Sequence, residues 1–323
     1  MIARQFIISL FIILGSSSVA YANSDSQLWS QIHQAAANGK NDWALKKFKT
    51  LVDRKHPGID ADEIALTHGR LLYQAGNFAG AVQAYSKVPR DSDFWLASVE
   101  ERAWAKIQSG DVNQAIADSK TLMSPLFEDI AGPESYFVSS YVAHRTCDFK
   151  NVFEISDKFK KNNKLRIVHL EKMSKMQKTR GIADFIGALR EKGLKKALSS
   201  QVISFFPDHF YKDKKIQRLA KKASSIGFNE IAFRKRLAEL AKLELKHYKD
   251  VIAKLLLIEG DVIQRLFLDK SLAGNRSQVG SGIQSGKYDL KFPYDERDVW
   301  IDEIDNLKVS AKNCPEIPKG VKI

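Results

Sequence analysis

Between residues 64 and 124 apolar positions recur three and four residues apart, in blocks separated by short polar turns led by glycine. The spacing predicts helices over residues 62–75, 79–87, 94–109 and 112–123. Gly76-Asn77-Phe78 joins the first two, Gly110-Asp111-Val112 joins the next two, and Pro89 and Ser124-Pro125 close the pairs. The second pair repeats the first at a constant offset: 110 − 76 = 34 for the glycines, 115 − 81 = 34 for Ala81 and Ala115, and 122 − 88 = 34 for Val88 and Leu122. A fixed period of this length, with alanine where two helices approach, is the mark of stacked helical hairpins. Glycine suits the turns because it enters the left-handed region at low cost.

Weaker copies flank this block. Helices are expected over residues 28–37, with Ser26 as N-cap, and 43–52, with Asn38-Gly39-Lys40 breaking the first; Asn41-Asp42-Trp43 stands roughly where Gly76-Asn77-Phe78 does, at 78 − 43 = 35. His56-Pro57-Gly58 ends that pair. A fourth pair begins with a helix over residues 134–145 and places Cys147-Asp148-Phe149 in the turn, 147 − 110 = 37 after its predecessor, with Phe153, Ile155 and Phe159 facing inward. Residues 158–196 still show helical periodicity but carry thirteen Lys and Arg against Glu171, Asp184 and Glu191, a net +10. A short basic helix over 214–225 and a long helix over 230–271 follow, with Gly260 as a candidate bend. The stretch 274–286 is rich in Gly and Ser and reads as a loop. An aromatic tail comes last, with Phe292-Pro293-Tyr294-Asp295 and Trp300-Ile301-Asp302-Glu303-Ile304, either docked on the body or offered to a partner. The expected organisation is a leader over 1–22, a repeat domain over 23–160, a basic helical region with the long helix over 161–273, and loop plus tail over 274–323.

The leader changes how the remaining composition is read. Arg4, the apolar run 6–14 and Ala20-Tyr21-Ala22 together fit a secretory signal peptide cleaved near Ala22. The mature chain is then expected to be exported and periplasmic, soluble, and without a transmembrane helix. Export turns the net charge of +13 away from nucleic acid and towards lipopolysaccharide, anionic lipid, cell-wall polymer or an acidic protein. The face over residues 158–196 is the candidate for that contact; its plainer reading is the solvated side of a charged helix pair. Export also permits a disulfide between the two cysteines, Cys147 and Cys314. The alternative has one cysteine packed in a helical turn and the other near the C-terminus.

The helix–turn–helix units over residues 62–159, with their small, aromatic and alanine positions, resemble the tetratricopeptide repeat family. That resemblance implies an all-α, right-handed solenoid of helical hairpins, here followed by a long-helix region and a short aromatic tail. It also implies a concave groove lined by the first helix of each hairpin. Carried over at the shared offset, Arg70, Tyr73 and Gln74 would line the groove in one unit and Trp104, Ile107 and Gln108 in the next. Tyr73 and Trp104 have an equally good alternative, packing between hairpins. A narrower likeness rests on Ser124-Pro125-Leu126-Phe127, Pro133-Glu134-Ser135, the long helix and the aromatic tail. These look like the envelope repeat proteins associated with adventurous gliding motility in myxobacteria and their predatory relatives, although Glu296-Arg297-Asp298-Val299 stands where that group has a Gly-Glu-aromatic run. It implies a non-catalytic part in an envelope assembly.

Clustered chemistry is sparse along the chain. The seven histidines are scattered, and neither a nucleophile elbow, a phosphate-cradling glycine loop nor a zinc pattern occurs. No cofactor, metal or catalytic residue is therefore expected. The rival reading is a peptidoglycan-associated protein or a murein hydrolase or its regulator, for which Glu134-Ser135 is the one suggestive pair. A glutamate there also suits a helix N-terminus.

Overall fold

Five times among the described residues a helix ends on one residue with positive φ: Gly39 (73°), Gly76 (80°), Gly110 (86°), Cys147 (59°) and Met176 (54°). At each, the N–H of the following residue donates back across the turn, Lys40 to Ala35, Asn77 to Leu72, Asp111 to Lys106, Asp148 to Ala143 and Gln177 to Lys172. The positive-φ residue itself donates to the carbonyl three before it. Both otherwise orphaned carbonyls of the last turn are thereby satisfied, the Schellman arrangement. In three of the five the next residue at once starts a new helix. Asn77, Asp111 and Asp148 accept from the N–H groups of Gly80, Gln114 and Asn151. Two adjacent residues thus stop one helix and start the next, which leaves no room for a loop.

The computed structural model describes residues 24–53, 59–127, 130–177, 179–197, 206–210, 213–223 and 228–268. They form eleven α-helices and, among the described residues, no strand. In order these are α1 (Ser24–Ala37), α2 (Asn41–Val52), α3 (Ala61–Gln74), α4 (Phe78–Tyr85), α5 (Trp95–Gln108), α6 (Val112–Leu122), α7 (Pro133–Arg145), α8 (Phe149–Ser174), α9 (Arg180–Ala197), α10 (Lys214–Lys221) and α11 (Glu230–Leu268). The leader, the cleavage position near Ala22, the 274–286 loop, the aromatic tail and Cys314 all lie outside the described residues.

Contacts divide the chain into two compact units, one holding the residues up to Phe153 together with those from Gly260 onward, the other Glu154–Glu259. The sequence pattern puts a boundary at 160; the contacts put it inside α8 and assign the end of α11 to the first unit. In that first unit α1 packs on α2, α3 on α4 and α5 on α6, and each pair meets the next helix in the chain. The leading helices of successive pairs also touch, α3 with α5 and α5 with α7. Ala81 and Ala115 are fully buried where the second helices approach the first. Gly69 does the same for α3, because a Cβ there would lie 2.4 Å from the Tyr85 ring. The core joins Leu66, Tyr85, Val99, Ala103, Leu122 and Val138, and a second cluster joins Ile32, Ala44, Phe48, Leu51 and Leu71.

Two expectations shift in the first pair. Ser26 lies inside α1, which already begins at Ser24. Gly39, not Asn41, occupies the place of Gly76, so the offset to the next unit is 76 − 39 = 37 and Asn41 is the first residue of α2.

In the second unit side chains of α8 and α11 meet. Lys160 pairs with Glu259 at 2.9 Å, Arg166 with Glu244 at 2.6 Å and Lys249 with Glu171 at 3.2 Å. Phe159 stacks on Tyr248 with ring centroids 6.0 Å apart. Phe185 of α9 meets Phe206, Phe210 and Phe233 at 4.9, 5.7 and 6.2 Å, an aromatic core around which α9 and the start of α11 assemble. α9 breaks at Gly193, where φ is 71°. α11 is helical through Gly260.

Candidate binding surface on the first helices

Repetition brings distant positions to one place. Adjacent leading helices are one repeat apart in sequence, so a residue faces a partner one repeat minus one helical turn further on. Arg70 of α3 and Glu101 of α5 are such a pair, 101 − 70 = 31 apart. The Arg70 Nε donates to both carboxylate oxygens at 2.9 Å and its Nη2 to one at 2.6 Å. Burial works against the guanidinium charge, but Glu101 outweighs it and holds the Arg70 pKa above its usual value. Tyr73 lies beside this pair; burial, then the Glu101 charge, pushes its phenol up to about 12. On α1, burial and the nearby Arg70 charge bring His33 down to about 4.

One residue before Glu101, α5 presents Glu100 to α7. The Ser135 hydroxyl donates to its Oε2 at 2.6 Å. The carboxyl is closely surrounded although the residue keeps some exposure. Burial pushes it up to about 8, with Glu134 and Glu101 adding to the rise and Ser135 and Arg70 opposing it. Glu100 therefore carries its proton at neutral pH. Glu100 and Glu101 are absent from the sequence-derived set. The 31-residue offset finds Glu101, given that leading helices touch; Glu100 meets Ser135 at 35 and is not found by it.

An aromatic row completes the surface. Trp104 lies 5.2 Å from Phe137 and 5.6 Å from Tyr141, and Tyr141 in turn 6.3 Å from His144. His144 Nε2 bonds Asp261 of α11, which also accepts from Arg265 at 2.7 Å. Burial lowers the His144 pKa against the hydrogen bond to Asp261, and His144 and Arg265 hold the Asp261 carboxyl low against its own burial.

Of the six residues expected to line a groove, Arg70 is held by Glu101 and Tyr73 is buried with its ring edge-on to Phe78 at 5.2 Å. Trp104 and Ile107 are half-buried and pack against the core, Trp104 with part of its ring surface left over. Gln74 and Gln108 are half-exposed, and the Gln74 carbonyl accepts from Asn41 Nδ2 at 3.3 Å. Behind this face Asp118, fully buried on α6, receives Arg102 at 2.7 Å and Lys106 at 2.9 Å, so two cations of α5 meet one carboxylate. Cys147 holds the turn between α7 and α8; its expected partner Cys314 is outside the described residues.

Among the described residues no three His, Cys, Asp or Glu side chains are placed to hold a metal ion, and no helix is long and apolar enough to cross a membrane. No protein-family model, curated protein or solved structure matches this chain.

Proposed function

We propose that this protein is a non-catalytic periplasmic scaffold that holds a partner protein or peptide segment in a cell-envelope assembly, one serving surface motility. Its first unit is read as a tetratricopeptide-like solenoid. The observation that carries the reading is the recurrence of one left-handed turn at Gly39, Gly76, Gly110 and Cys147, with the leading helices of successive pairs in contact. Such stacking produces a continuous side-chain surface larger than any single pair offers. Trp104 and Tyr141 supply half-buried aromatic area on it, the type of residue that anchors interfaces. Residues 158–196 supply a basic second surface for an anionic partner.

The experiment is a pull-down from crosslinked envelopes, with pelleting on purified cell wall as its control. Trp104→Ala together with Tyr141→Ala is expected to lower partner recovery at least tenfold while the helical circular-dichroism signal persists. Recovery of murein with no protein partner would overturn the scaffold reading.

One observation favours the rival reading of a peptidoglycan-associated hydrolase or regulator. A carboxyl that keeps its proton near neutrality, as Glu100 does beside Ser135 and Glu134, is what general-acid catalysis needs. Murein turnover by the pure protein that is lost in Glu100→Gln would decide for it.

A further inference from the structure

α8 has two faces of opposite character within the second unit. Phe159, Leu170 and Met173 are buried on one side. On the other, Lys161, Lys164, Leu165, Val168 and Lys172 follow one another three, four or one residues apart, which places them on a single stripe, and Lys175 and Met176 follow in the turn that ends the helix. Leu165 is 66% exposed, Val168 39% and Met176 43%. All four lysines are exposed too, and no ion pair among the described residues engages them. The nearby cations that do face acids are different ones, Lys160, Arg166 and Lys249. The only carboxylate of that part of α8, Glu171, sits at the edge of the stripe and is taken by Lys249. The stripe is therefore uniformly cationic, and aliphatic side chains stand between the charges.

A cationic helix face in water has no use for exposed leucine, valine and methionine. A soluble polyanion would be gripped by the lysines alone. An anionic bilayer uses both: aliphatic side chains enter the boundary between headgroups and acyl chains, and lysines extend along them to the phosphates. From Lys161 to Lys172 the helical part of the stripe is about 17 Å long at 1.5 Å per residue, enough to lie along several headgroups.

We infer that the outer face of α8, together with the turn that ends it, seats this protein on an anionic lipid surface, with Leu165, Val168 and Met176 in the interface and Lys161, Lys164, Lys172 and Lys175 on phosphate. This rests on the part of the proposed function that gives residues 158–196 an anionic partner, and it commits that partner to lipid.

The test is co-sedimentation of the full chain with vesicles of phosphatidylcholine, alone or with phosphatidylglycerol, beside a soluble polyanion such as heparin. Binding is expected to phosphatidylglycerol vesicles, to fall with salt, and to be absent with phosphatidylcholine alone. Leu165→Ser with Val168→Ser, which leaves charge unchanged, should lower vesicle affinity at least fivefold and spare heparin binding. Lys161→Gln with Lys172→Gln should weaken both. Leu165→Trp should add a blue-shifted emission component on vesicle addition, a signal that a peripheral polyanion contact would not produce. All these positions are exposed, and unchanged circular dichroism checks the fold. Vesicle binding indifferent to the serine pair, or heparin binding without vesicle binding, would overturn the lipid assignment and leave the anionic partner standing. Binding to neither would overturn both. Self-association of the free protein that the serine pair abolishes would give the face to a second copy instead.

Discussion

Glu100 holds its proton where most carboxyls have lost theirs, because α5 and α7 surround it and two further glutamates stand near. Unfolded, it titrates near 4.5; folded, near 8. Between those values the folded state binds the extra proton, so stability falls as pH rises through the window, and the loss is complete above the folded value. His33 acts in the opposite sense, since its folded pKa is depressed from 6.5 to about 4 and its stability contribution grows as pH rises across that range. Urea denaturation at pH 6.5 and 8, compared between wild type and Glu100→Gln, isolates the glutamate, because the depressed histidines contribute equally to both chains. The wild-type chain is expected to lose stability over that interval, by at most about 1.4 kcal/mol per pH unit. Glu100→Gln should flatten the slope, and an equal slope in the variant would assign it to another group. None of this is legible in Glu100 as a letter in a helix. Its neighbours Ser135 and Arg70 are 35 and 30 positions away along the chain, and only packing makes them neighbours.

At the scale of the element, the turn does the organising. Gly76 and Gly110 announce themselves, since glycine followed by Asn or Asp is a strong terminator and starter. Cys147 occupies the same geometry with a side chain, and its place was readable only from the aligned Asp148-Phe149. Met176 offers no such cue, and Gly39 is followed by Lys40, which provides no side-chain cap, so the pattern slid by two residues there. A side chain at positive φ costs about 1–2 kcal/mol. Gly110→Ala should therefore lower stability by about 1 kcal/mol. Met176→Gly should be neutral or raise it by up to about 1 kcal/mol, because relief of the left-handed strain outweighs the added freedom of the unfolded chain. Chemical denaturation of both variants checks the pair. A destabilised Met176→Gly would mean that its side chain contributes packing despite its exposure.

For the molecule as a whole, the charge counted along residues 158–196 exceeds the charge left unpaired. Arg166 is held by Glu244 and Asp208, both at 2.6 Å, and Arg190 by Glu230 at 2.8 Å. The two partners of Arg166 differ in their surroundings: the Glu244 side chain is 7% exposed and that of Asp208 70%. Burial pushes the Glu244 carboxyl up, followed by Asp208, while Arg166 opposes the rise. Glu244→Gln should cost about 3 kcal/mol by stranding a partly enclosed guanidinium. Asp208→Asn should cost less than about 1 kcal/mol, as solvated pairs do. Equal losses in thermal denaturation would mean that burial does not set the strength of this pair.

What the residues alone determined is local: all-helical structure, the four turns from Gly39 to Cys147 to within two positions, and Ala81 and Ala115 where a second helix closes on a first. These follow from backbone geometry and a 3.6-residue period, which act over a few neighbours and so leave a trace in any short stretch. What only the tertiary structure decided is which side chains are already engaged. Arg70 looks like a free anchor until Glu101 arrives from the next leading helix, and the lysines of α8 look alike until α11 claims Lys160 and leaves Lys161 and Lys164 in water. Partnerships between residues tens of positions apart depend on how helices stack, and stacking is a property of the assembled surfaces that no short stretch contains.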